Sequence, residues 1–249
     1  MKRENLSAQH TPSAIRKRLT QECKPCFLKD FIYGAVDGVV TTFAVVASVA
    51  AAGLSSGVVI LLGIANLIAD GFSMAIGNYL GTKAEQDDLK RTESDEYWQI
   101  ENIPEGEIEE VRQIYANKGF EGELLEQVVS VITSNKERWV ESMMTDEHGI
   151  SKLVLAPFTS ALVTFFAFLL VGIIPLICFI LEYFLPDVIS NAFLASSVLT
   201  GCAFFAIGAI KSLVVESWWL KEGFITLILG SAAAGIAYGL GVLMKPFVE

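Results

Sequence analysis

Histidine is nearly missing from this chain, with two in 249 residues, His10 and His148. Imidazole ligation is therefore not expected as the main chemistry of a metal centre. The Glu-x-x-His pairs of a ferritin-type di-iron oxidase are absent too, since Ser7 and Thr145 stand three residues before the two histidines. Cysteine is scarce: four residues, two of them inside apolar runs, make no disulfide framework. Cys23-Lys24-Pro25-Cys26 could catch a metal or be redox-active, but it lacks both a βαβ setting and a second pair, and two ordinary reduced thiols are the plainer account. There is no G-x-x-x-x-G-K-[ST] loop, which removes an ATP-driven pump. The first 30 residues hold no apolar h-region, so no cleavable signal peptide is expected and the first span stays in the mature chain. Charge is sparse as well. At 18% charged and 53% hydrophobic, with a mean hydropathy of +0.51, the chain is too apolar for a water-facing surface of this size.

What is there is a set of long apolar runs. Crossing about 30 Å of hydrocarbon takes about 20 helical residues, and five segments are long enough: 31–54, 57–80, 153–181, 191–215 and 223–244. The expected fold is an all-α polytopic membrane protein of five transmembrane helices, with a helical insert between spans two and three. Its parts are a cytoplasmic arm (1–30), spans one and two (31–80), a cytoplasmic acidic domain (81–152) and spans three to five (153–249). Orientation follows from the basic residues. The arm carries Lys2, Arg3, Arg16, Lys17, Arg18, Lys24 and Lys29, whereas the links 53–57 and 182–190 carry none. Lys211 and Lys221 flank the link after span four on the same side, and Lys211 reads as a snorkelling interface residue. These place the arm and the insert in the cytoplasm and the C-terminus outside.

The insert is strongly acidic. Residues 85–150 hold 18 of the 28 acids and 6 of the 18 bases, a local net charge of −12 within an overall −10. A polyanion needs a basic stripe, and the one large polar segment has the opposite sign, so nucleic-acid binding is excluded. Between Gly81 and Pro104 there is neither Gly nor Pro, which predicts that span two continues as a helix into the insert. Further helices are expected over 105–117, 121–134 and 135–147. Val111, Ile114, Tyr115, Leu124, Leu125, Val128, Val129 and Ile132 recur at helical spacing and are expected to share one core.

Ionisable groups inside spans are costly and therefore informative. Asp37 lies six residues inside span one, and Asp70 near the middle of span two. Asn66, Asp70, Met74 and Asn78 are spaced by four, which puts them on one slowly drifting helix face. Such a stripe of amide, carboxylate and thioether can be a ladder for a divalent cation; it can also be hydrogen-bonding glue between helices. In the insert, Glu93 and Glu96, and Glu107 and Glu110, are three apart, a spacing at which a cation relieves the repulsion. Met143, Met144 and Glu147 lie close together on the last helix. A solvated acidic face is the plainer account of the charge. The exposed thioethers that the pattern predicts speak for a metal, and oxygen with sulfur favours Fe²⁺ or Mn²⁺ over a Cys/His zinc site.

These residues resemble a known family, the vacuolar iron transporters. The resemblance runs from Asp30 onward, through DFIYGAVDGVVTTFAVV, ANLIADGFSMAIGNYLGTKAE, PEGEIEEVRQIYANKGF and WVESMMTDEHGI. It implies a homodimer of five-span subunits, a path along spans one and two near the dimer interface, and a cytoplasmic helical metal-binding domain. It further implies proton-coupled export of Fe²⁺, with Mn²⁺ as an alternative cargo; the metal is substrate, and neither a cofactor nor an enzymatic activity is implied. Asp37 and Met74 correspond to the family's span-one carboxylate and span-two methionine, and Glu96, Glu107, Glu110, Met143, Met144 and Glu147 to its cytoplasmic ligands. Two departures stand out. Gln99 occupies a position where the family often has another Glu, and Asn78 stands where it often has an acid, while Asp70 offers a carboxylate two turns earlier. The short chain points to a bacterial inner membrane, with a vacuolar-type membrane as the eukaryotic alternative. A metal sensor or scaffold without transport is the competing function.

Overall fold

The computed structural model describes residues 10–19, 26–150, 155–185, 188–215 and 217–248. Among them every regular element is helical. In chain order these are α1 (Pro12–Leu19), α2 (Leu28–Ala51), α3 (Ser56–Asn102), α4 (Pro104–Asn117), α5 (Gly122–Thr133), α6 (Lys136–Asp146), α7 (Pro157–Gly172), α8 (Ile174–Phe184), α9 (Ala192–Val215) and α10 (Trp219–Val248). Much of the arm, including Cys23, Lys24 and Pro25, and the first residues of the expected third span lie outside the described residues; Cys26 is an exposed free thiol. The chain divides into two compact units: Cys26–Lys83 with Ala156–Glu249, and Met1–Pro25 with Ala84–Leu155.

The first unit is an apolar bundle. α2, α3, α9 and α10 are each long and apolar enough to cross a membrane. The third expected span departs from expectation: in place of one rod over 153–181, α7 and α8 meet at 45° and pass the same test only as a pair. The cause is in the backbone. Pro175, in the first turn of α8, has no N–H to give the Val171 carbonyl, and its ring crowds that turn, so the helix stops at Gly172 and restarts. The Ser196 hydroxyl donates to the Pro175 carbonyl at 2.6 Å and holds the joint against α9.

α2 makes its most extensive contact with α7, and the reason is a Gly34-x-x-x-Gly38 pair. Gly34 and Gly38 lie against the backbone of Thr164 and Phe168, and a Cβ on Gly172 would stand 2.9 Å from the Gly38 carbonyl oxygen. Small residues on both helices let the backbones touch. Phe43, Val46, Leu67, Phe168, Leu176 and Phe179 fill the layer beside this seam. At the other side of the bundle Lys211 donates to the Glu222 carboxylate of α10 at 2.9 Å, so this lysine is an ion-pair partner between two helices and does more than reach for an interface.

The second unit folds around its own core. Pro104 opens α4 at the position where a missing N–H does no harm. Asn135 caps α6 by accepting from the Arg138 amide at 2.8 Å. Ile100, Val111, Val129, Trp139, Val140 and Met143 form the buried centre, with Ile108, Ile114, Tyr115, Leu125 and Ile132 packed against it. Leu124 was expected there and instead is 56% exposed. The inward face of α5 runs through Leu125, Val129 and Ile132, and one residue back along a helix turns a side chain by about 100°.

Candidate metal centres

The bundle brings the two span carboxylates towards each other. Asp37 of α2 and Asp70 of α3 are both half-buried and lie close enough for like charges on them to interact. Asn66, Met74 and Asn78 share the half-buried face of α3 with Asp70. The stripe is not uniform along its length. Asn78 is tied down: its amide nitrogen donates to Asp30 Oδ1 at 2.8 Å, to Thr164 Oγ1 at 2.7 Å and to the Ser160 carbonyl at 3.3 Å. It joins α2, α3 and α7 as hydrogen-bonding glue. Met74 packs against the apolar layer of the bundle. Asn66 keeps a buried amide nitrogen without a partner. Asn78 is thus the member of the stripe whose amide is consumed by contacts between helices, which leaves Asp70 as the stripe's one carboxylate and Asp37 as the carboxylate of the neighbouring α2.

The insert gathers its acids from three helices. α3 contributes Glu96, α4 contributes Glu107 and Glu110, and the C-terminal end of α6 contributes Glu147 and His148. Glu96 is 2% exposed and Glu107 is 3% exposed. Each has one carboxylate oxygen, Oε2, that is buried without any protein partner. Burying an ionised carboxylate without compensation is strongly unfavourable, and neighbours make it worse. The Glu107 carboxyl is pushed up to about 7 by burial and by the repulsion of Glu110, Glu96 and Glu147, against a smaller opposing pull from His148. Burial, followed by Glu110, also raises Glu147. Glu110 and Glu147 are exposed, so the cluster has a wet side and a dry side.

His148 is the residue that counting histidines undervalues. Its Nε2 lies 2.9 Å from Glu96 Oε1 and 3.9 Å from a Glu147 oxygen, and the hydrogen bond to Glu96 leads the causes that raise its basicity. Glu96, Glu147 and His148 offer ligand atoms that all fall within 4.8 Å of one another. The usable signal was local: His148 directly follows Glu147 at a helix end, just before Gly149 with φ +68°. Gln99 donates to Glu96 Oε1 at 3.5 Å and so adds a donor where a carboxylate would add charge. Met143 is fully buried in the insert core and Met144 is half-buried beside it. Their placement has an immediate packing reason, whereas the orphaned oxygens of Glu96 and Glu107 have none. Four carboxylates against one imidazole, two of them desolvated, make an arrangement suited to holding a divalent cation.

Residues 28–242 match the VIT family. Among curated proteins the chain is similar to a vacuolar iron transporter of Toxoplasma gondii, 33% identical over 225 residues, covering 88% of this chain and 74% of that protein. It is also 33% identical over 223 residues to vacuolar iron transporter 1 of Arabidopsis thaliana, covering 88% and 86%. A vacuolar iron transporter of Plasmodium falciparum is 30% identical over 224 residues, covering 88% and 82%.

Proposed function

The chain belongs to the VIT family, and from that membership we propose that it exports Fe²⁺ from the cytosol in exchange for protons. It is a membrane transporter and not an enzyme, and the metal is its substrate. Mn²⁺ is a second cargo of the same ligand chemistry. The insert is the cytoplasmic capture site, with Glu96, Glu107, Glu110 and Glu147 as ligands and Met143 and Met144 beside them; the path runs past Asp37, Asp70 and Met74.

The observation that carries the reading is the pair of half-buried carboxylates in the spans. Two acids that repel at bundle depth are tolerated when a cation lies between them. A divalent metal neutralises both; on its departure protons can do the same. Metal binding then expels protons and proton binding expels metal, which is exchange in its simplest form. A thioether at Met74 adds no charge and lends preference for softer ions over hard ones. The acidic insert raises the local concentration of cations on the side where the N-terminal arm, with its seven lysines and arginines, is held. The subunits act as a homodimer, in a bacterial inner membrane or, in a eukaryote, a vacuolar-type membrane.

The test is flux. Purified protein in liposomes with an imposed pH gradient should move Fe²⁺ against its own gradient and move protons the other way. Binding without pH-driven flux would favour a membrane-anchored sensor or scaffold.

A further inference from the structure

The acidic cluster of the insert contains one nitrogen donor, and its position is that of a ligand. Two ligand atoms at about 2.1 Å on neighbouring positions of a metal lie about 3 Å apart. His148 Nε2 and Glu96 Oε1 are already 2.9 Å apart, with a Glu147 oxygen 3.9 Å from the same nitrogen. The imidazole satisfies only one oxygen of Glu96. The other, Oε2, remains buried and unpartnered, as does Glu107 Oε2 across the cluster. Gln99, one turn after Glu96, brings an amide that donates and cannot compensate the charge. Glu147 and His148 also stand at the C-terminus of α6, the helix end whose carbonyls favour positive charge.

We infer that His148 is a metal ligand of the insert, completing with Glu96 and Glu147 a mixed nitrogen and oxygen site that prefers borderline divalent cations to hard ones. The inference rests on the capture role proposed above. An all-carboxylate site suits Mn²⁺ and Mg²⁺ well, whereas one imidazole shifts preference towards Fe²⁺, Co²⁺ and Zn²⁺. The insert then discriminates Fe²⁺ from Mn²⁺ before either ion reaches the spans. Its discrimination comes from an atom type that no carboxylate in the cluster supplies.

The experiment is isothermal titration of Co²⁺ and of Mn²⁺ into the full-length, detergent-solubilised protein. An Asp37→Asn background is used so that binding in the spans does not mask the insert. His148→Gln should weaken Co²⁺ binding by about tenfold or more and Mn²⁺ by less than about threefold. X-ray absorption at the cobalt edge should lose its imidazole signature in His148→Gln and keep it in Glu110→Gln. Equal weakening for both ions, with the signature unchanged, would mean that His148 only orients Glu96 and would overturn the ligand role. If Glu107→Gln with Glu110→Gln removes both ions while His148→Gln changes neither, the capture role stands and this inference falls. If the parent protein binds neither ion, both fall.

Discussion

Gly38 packs so closely on Phe168 that a Cβ in its place would stand 2.5 Å from the Phe168 carbonyl oxygen, and Asp37 is the residue beside it. The span-one carboxylate is therefore positioned by a backbone contact, which cannot give way as a flexible side chain does. Gly38→Ala should lower stability by about 1–3 kcal/mol, the usual range for overpacking. Thermal unfolding in detergent measures it. Gly77→Ala, whose Cβ would meet nothing within 4 Å, should leave the midpoint unchanged or raise it.

Asp37→Asn keeps the side-chain volume and removes the exchangeable charge. It should abolish metal flux driven by a pH gradient in liposomes while leaving the melting curve close to the parent's. Met74→Ala should slow flux less and weaken the preference for Fe²⁺ over harder ions. Full pH-driven transport by Asp37→Asn would pass the exchange role to Asp70.

The insert should release protons when it loads. With the Glu107 carboxyl near 7, about half of that group is protonated at pH 7, and a metal must displace the proton. His148, made more basic chiefly by its hydrogen bond to Glu96, adds to the release. Both raised groups hold protons below their folded-state values, so metal affinity should rise as pH goes from 6 to 8 and proton release should fall over the same window. Calorimetry in buffers of different ionisation enthalpy reads the release directly. Glu107→Gln should reduce it at pH 7; an unchanged value would remove Glu107 from the binding step.

Asn78 holds three helices with one amide. Asn78→Ala removes its contacts with Asp30, Thr164 and the Ser160 carbonyl, and at about 0.6 kcal/mol for an average bond between spans the loss should be about 1–2 kcal/mol. Asn78→Asp should cost more, because it sets a carboxylate against Asp30. Melting in detergent at pH 7.5 ranks the two variants.

Topology is open to a direct assay. A reporter fused after Glu249 should be extracytoplasmic, and one inserted near Asn117 cytoplasmic. Both on one side of the membrane would refute an odd number of spans with the insert inside.

Much of the helical order could be read from residue spacing. The Gly- and Pro-free stretch after Gly81 is the continuation of α3, and Pro104 opens α4, because both are local backbone effects. The joint at Pro175 was hidden inside an unbroken apolar run, since hydropathy registers side chains and not a missing N–H. Leu124 was misplaced because helical periodicity alone does not say which neighbouring turn faces inward. In the candidate site, the i and i+3 spacing of Glu107 and Glu110 was visible, but the approach of Glu96 to His148 joins residues 52 positions apart. No spacing rule reaches that far. The same holds for Asn78, whose polar stripe reads as a ladder until Asp30 and Thr164 are seen beside it.

The bent pair α7 and α8 has a mechanical meaning. Each piece is stiff along its own axis, and the joint at Ile173 between them is the compliant place, pinned by a side-chain hydroxyl from Ser196. The half-rod Pro157–Gly172 is locked to α2 through glycine contacts beside Asp37, while Ile174–Phe184 is held by side chains such as Leu176 and Phe179. Strain applied to the far half is taken up as rotation at the joint. The near half, and with it Asp37 on α2, then feels less of that strain than the stretch of α3 that Leu176 touches beside Gly63. A continuous rod would transmit the same displacement along its whole length, to the glycine contacts that position Asp37.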